Sequence, residues 1–101
     1  MNEYMVLMPM TDNFTEVLAI IKEEALATFG GYTLGGPVTG AWLDLGTGIV
    51  HEDWSWPLTI ALTPALETEF FRFVRRVRVL LNQITMYVRL PNGEVVFVGS
   101  E

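Results

Sequence analysis

The sequence predicts an α+β fold: a ferredoxin-like βαββαβ sandwich with an antiparallel sheet, two helices on one face, and an additional strand returning from a C-terminal hairpin. Three observations predict it. A strand-like run at residues 4–8 precedes a helical stripe at 14–29. Two β-like runs precede a second helical stripe at 64–81. The chain then closes on two alternating runs, 84–90 and 95–98, around a Pro-Asn-Gly turn. Consecutive elements pack beside one another through right-handed crossovers, and this order leaves that sandwich as the natural solution.

In the first helix, Phe14, Val17, Leu18, Ile21, Ala25 and Phe29 recur at three- and four-residue spacing and form one apolar stripe, with Glu16, Lys22, Glu23 and Glu24 mostly elsewhere around the axis. Asn13 and Glu16 have the spacing of a reciprocal capping box, and Gly30-Gly31 supplies the positive φ that ends a helix. In the second, Thr63 is a natural N-cap, Pro64 suits the first helical position, and Glu67 and Glu69 lie near the positive end of the dipole. Leu66, Phe70, Val74, Val77 and Leu81 make its buried stripe, widened by Phe73 and Leu80.

The strands follow from alternation. Trp56, Leu58, Ile60 and Leu62 alternate with Ser55, Pro57, Thr59 and Ala61; Ile84, Met86, Val88 and Leu90 alternate with Gln83, Thr85, Tyr87 and Arg89. Pro57 inside its run predicts an edge position or a bulge. Residues 30–48 hold seven glycines, so the strand expected there, near 39–43, is short and irregular. Asn92-Gly93 is a hairpin signal.

With 101 residues the chain has room for a single domain, residues 1–101, and half its residues are hydrophobic, well away from the composition of disordered chains. The absence of cysteine excludes disulfides, thiolate metal sites and a cysteine nucleophile. No apolar stretch approaches the ~20 residues of a membrane span, and the first residues lack the basic start of a secretory signal, so a cytoplasmic location without membrane attachment is expected. The net charge is −6 and uneven: ten acids against Lys22 up to Phe71, then five arginines against two acids. Such a chain repels nucleic acid at long range, and none is expected as a partner.

The stretch GGYTLGGPVTGAWLDLGTGIVHEDW (residues 30–54), followed by a capped helix and LNQITMYVRLPNGEVVFV (residues 81–98), resembles a family of small bacterial proteins known as a domain of unknown function. The positions that carry it are Thr33, Gly40, Trp42, Asp44, Glu52 and Gln83. The resemblance implies a ferredoxin-like sheet and no particular activity. This chain departs from the family in lacking the signal peptide or lipoprotein start seen in many members.

Three surfaces are candidates for function. If residues 42–44 and 52–54 form a hairpin, Asp44 approaches His51 or Glu52, a carboxylate–imidazole pair suited to acid–base work or to a divalent metal; consecutive strand residues alternate faces, so His51 can share a site with Asp53 or Glu52 can act alone. Against this stands a solvated hairpin end, and no metal or other cofactor is assigned. The sheet face away from the helices presents Trp42, Thr59, Thr85, Tyr87 and, depending on register, Tyr32 or Trp54; aromatic surface left in water costs ~25 cal/mol per Å², so a homodimer through this face is expected. Arg72, Arg75 and Arg76 share one helix face, where they compensate the dipole or bind a protein partner. The glycines match neither G-x-G-x-x-G nor a P-loop. The expected function is a small binding or accessory module that self-associates. The alternatives are a small enzyme using Asp44, His51 and Glu52, and a subunit or inhibitor that engages a larger protein through the arginine face.

Overall fold

The computed structural model describes residues 1–99, and they form six strands and two α-helices. The order is β1 (Asn2–Pro9), α1 (Phe14–Phe29), β2 (Thr33–Leu34), β3 (Val38–Asp44), β4 (Ile49–Leu62), a 3₁₀ turn (Pro64–Leu66), α2 (Glu67–Leu80), β5 (Met86–Arg89) and β6 (Val95–Val98). The sheet runs β2-β4-β1-β5-β6, with β3 also on β4, and every pairing is antiparallel. With β2 and β3 together taking one position along β4, this is the βαββαβ arrangement with its extra hairpin strand.

Both helices cover one face. Tyr4, Val6 and Met8 of β1 alternate inward with Leu58, Ile60 and Leu62 of β4 and Met86 and Val88 of β5; they meet Phe14, Val17, Ile21 and Ala25 of α1 and Phe70, Phe73, Val74 and Val77 of α2 in one core. Aromatic rings join the layers: Phe70 lies 5.0 Å from Tyr4, and Phe29 meets Phe73 edge-on at 5.6 Å. Burying each of these large side chains contributes about 1.5–3 kcal/mol, which is why the helical stripes dictate the layer order.

Several local expectations are corrected. Asn13 makes no capping bond with its side chain. Its amide instead donates to the Leu80 carbonyl at 3.2 Å while its oxygen accepts from the Thr11 hydroxyl at 2.6 Å, so the residue ties the start of α1 to the end of α2. Thr63 likewise makes no side-chain cap, because Pro64 opens a 3₁₀ turn before the α-helix begins at Glu67. Ile84 is exposed and precedes β5, since α2 ends through Asn82 in the left-handed region at φ 55° and the chain straightens only at Met86. The last hairpin uses Pro91, Asn92 and Gly93, with Gly93 at φ 87°; Gly93 N–H donates to the Leu90 carbonyl and Leu90 N–H to the Glu94 carbonyl, the pattern of a type I turn closed by a glycine bulge.

Pro57 is accommodated in an interior strand by a gap between its neighbours. Residues 49–55 of β4 pair with β3 and residues 58–59 with β2, leaving 35–37 to pass beside Pro57. The Pro57 carbonyl faces that gap and accepts from Gly35 N–H at 2.8 Å, so the missing proline N–H costs no bond to β1. A Cβ on Gly35 would lie 2.7 Å from the proline ring, so this crossing requires glycine. Gly30 ends α1 at φ 84°, its N–H on the Leu26 carbonyl.

Candidate functional site

The long β4 has two roles. From Ser55 to Leu62 it lies against β1 in the body, but from Ile49 to Trp54 its only strand partner among the described residues is β3. Residues 38–54 therefore form a two-stranded arm about seven residue pairs long, on the order of 20 Å. Thus β3 is longer than the short strand expected around 39–43. The arm's tight end is built locally: Asp44 Oδ1 accepts from Gly46 N–H at 2.9 Å, Gly48 N–H donates to the Asp44 carbonyl at 2.7 Å with φ 71°, and Thr47 Oγ1 accepts from Ile49 N–H at 3.2 Å.

The register decides which candidate residues meet. Trp42 stands opposite His51, their rings stacked 4.5 Å apart at 18°, and Trp42 Nε1 donates to Asp53 Oδ2 at 3.3 Å. His51 and Asp53 are on one side of the arm, continuous with the open face of the sheet. Glu52 pairs with Ala41 and points to the other side, while Asp44 pairs with Ile49 and is engaged by the turn. Asp44, His51 and Glu52 do not converge. Among the described residues no group of three histidine or acidic side chains is arranged to hold a metal ion.

The surface aromatic residues divide in the same way. Thr59, opposite Met5 and Thr33, and Tyr87, edge-on to Phe97 at 5.8 Å, lie on the open face with Trp42; Thr85 is exposed just before β5. Trp54 pairs with Thr39 on the opposite side of the arm, beside Met10, whose N–H donates to the Trp54 carbonyl. Trp56 is a core residue, packed 4.8 Å from Phe14.

Of the arginines on α2, Arg72 pairs with Glu69 at 2.6 Å and Arg76 with Glu24 at 3.1 Å. Arg75 forms no ion pair with a described residue; it borders a groove of about 420 Å³ between α2 and β6, lined also by Thr68, Phe71, Val96, Phe97 and Val98.

Two further features had no sequence motif. The Tyr4 hydroxyl, on a ring that is otherwise buried, donates to Glu67 Oε2 at 2.5 Å. That hydrogen bond, then burial, then the carboxylate's charge, push the phenol up to about 12. At the β2 edge, an open cleft of about 300 Å³ is bordered by Glu3, Phe29, Tyr32, Thr33, Thr59 and the Gly30-Gly31 backbone. It combines a carboxylate, a phenol, two hydroxyls and an apolar ring, and its volume is at the lower end of small-molecule sites.

No family model matches the chain, and no curated protein matches it at a significant level. The resemblance to the bacterial family is corrected accordingly: what remains of it is the α+β sheet. Among solved structures the chain is similar to a phage SAM lyase. One structure, in complex with S-methyl-5′-thioadenosine, aligns with a TM-score of 0.68 and 10% identity over 98% of this chain and 89% of that one. Another, of a phage SAM lyase in the apo state, aligns at 0.65 and 11% identity with the same coverage. At such identity the likeness establishes the shared fold. No helix among the described residues is long and apolar enough to cross a membrane.

Proposed function

We propose that this protein is a lyase acting on S-adenosylmethionine (SAM) or a closely related sulfonium nucleoside. The observation that carries the reading is the alignment of nearly the whole chain with nearly the whole of a SAM lyase, one structure of which holds S-methyl-5′-thioadenosine. Two features support it. A net charge of −6 attracts a cationic substrate. The cleft at the β2 edge offers groups suited to a thioadenosine: Phe29 and Tyr32 for the base, the Thr33 and Thr59 hydroxyls for the ribose, and Glu3 for the positive end.

The chemistry asks little of the protein. When the bond from the sulfonium to the amino-acid chain breaks, its electron pair returns to sulfur and a neutral thioether leaves. The carbon is satisfied either by a C–O bond from the substrate's own carboxylate, or by loss of a neighbouring proton to a base with formation of a C=C bond. Both routes cancel the charge on sulfur, so excluding water from the sulfonium favours the reaction. Glu3 would hold the substrate's cationic end during this step.

The test is chromatographic detection of S-methyl-5′-thioadenosine after incubation with SAM. The expected result is turnover, reduced at least about tenfold in kcat/KM by Glu3→Gln with an unchanged melting temperature and unaffected by His51→Ala. Loss of turnover in His51→Ala but not in Glu3→Gln would place the reaction on the arm instead. Thermal stabilisation by S-methyl-5′-thioadenosine without turnover would make the protein a nucleoside-binding module. Neither turnover nor stabilisation would end the proposal.

A further inference from the structure

The arm leaves apolar side chains in water on the side that carries Glu52. Leu43, Val50 and Trp54, with Met10 beside Trp54 and Leu45 in the turn at the tip of the arm, are each more than half exposed, from 53% for Leu43 to 89% for Leu45. Leu43 pairs directly with Val50, and Glu52 lies between Val50 and Trp54 on the same side. These side chains offer on the order of 600 Å² of apolar surface, most of the roughly 800 Å² that each partner buries in a standard interface. An apolar ridge of this size with one carboxylate in it is unlike a solvated hairpin end.

At the other edge of the sheet is a surface of matching character. The groove between α2 and β6 is apolar along Phe71, Val96 and Val98 and holds Arg75 without a carboxylate partner among the described residues. The charges are complementary: residues 38–54 include Asp44, Glu52 and Asp53 and no lysine or arginine. Among the described residues β6 also has no strand partner beyond β5, and such an edge is the kind of surface that recruits another chain.

We infer that the arm of one copy of this chain seats in the α2–β6 groove of a second copy, with Leu43, Val50 and Trp54 against Phe71 and Val96, and Glu52 beside Arg75. The sheet order separates β4 from β6 by β1 and β5, about 15 Å at the usual strand spacing, so an arm does not fold back into its own groove. The contact is head-to-tail and differs from a two-fold pairing of open faces. Repetition of such a contact closes a ring when the rotation allows. The inference is independent of the proposed lyase chemistry.

Sedimentation velocity on two variants and their mixture tests it. Val50→Glu spoils the arm and keeps the groove; Arg75→Glu spoils the groove and keeps the arm. Val50 is exposed and Arg75 makes no ion pair with a described residue, so each variant is expected to stay folded, with the far-UV circular dichroism of the parent. The parent is expected to sediment as an oligomer, and each variant alone as a monomer with association weakened at least about tenfold. Mixed, the variants should form a one-to-one pair and nothing larger, because one sound arm meets one sound groove. A monomeric parent, an oligomeric single variant, or a mixture that remains monomeric would overturn the inference.

Discussion

Removing the Tyr4 hydroxyl tests the best-defined polar contact in the body of the protein. In the fold the phenol keeps its proton up to about 12, against 10.0 for the free side chain, chiefly because it donates to Glu67. Each pH unit of that displacement is worth about 1.4 kcal/mol, so the coupling amounts to on the order of 3 kcal/mol; Glu67 is exposed to water, which screens it and brings the expected value nearer 2. The sign follows from proton binding. The unfolded chain releases this proton near pH 10 and the folded chain near 12, so the stabilisation is complete below pH 10 and is lost as pH rises through that interval. Tyr4→Phe retains the ring against Phe70 and removes only the hydroxyl. It should cost about 1–2 kcal/mol at neutral pH and should flatten the loss of stability between pH 10 and 12 relative to the parent. Urea unfolding at a series of pH values measures both quantities, and phenolate absorbance reports the ionisation itself, as a step near pH 12 that the variant lacks. Equal alkaline slopes for parent and variant would refute the reasoning.

Two other substitutions examine how the sheet is assembled. Gly35→Ala forces a Cβ to within 2.7 Å of the Pro57 ring beside the bond to its carbonyl, and should destabilise the fold by about 1–3 kcal/mol in chemical denaturation. Leu58→Ala, in the fully buried part of β4, should cost about 2–5 kcal/mol, whereas Val50→Thr, in the same strand but on the arm, should stay within about 0.5 kcal/mol; comparable losses at the two positions would contradict the division of β4.

The architecture was largely legible because its signals are periodic. The stripes through Ile21 and Val74, and the alternation through Leu58 and Val88, state which side of each element seeks the core, and element order then restricts the topology. Pro57 was legible as an interruption, but the gap between β2 and β3 that accommodates it was not, because it depends on where Gly35 passes in space. Long-range polar contacts left no trace in the chain. Tyr4 and Glu67 are 63 residues apart, and Asn13 finds Leu80 across 67, so the local capping pattern with Glu16 pointed to the wrong partner. At the arm, alternation correctly separated Glu52 from His51 and Asp53. The alignment of Trp42 with His51 depended on the turn at 45–48, which a glycine-rich segment leaves open to a slip of one residue. The edge cleft escaped notice for a similar reason: Glu3, Tyr32 and Thr59 come from three separate segments and share no spacing.

The divided β4 separates two kinds of selection along one continuous strand. Beyond Ser55 toward the N-terminal end, a changed side chain has no buried neighbour to disturb, so mutation there is filtered only by what the protein must recognise. From Leu58 to Leu62 the inward positions are held by the interior of the molecule. Rewriting fewer than twenty consecutive residues would therefore change what the arm contacts, with the thermodynamic foundation inherited intact.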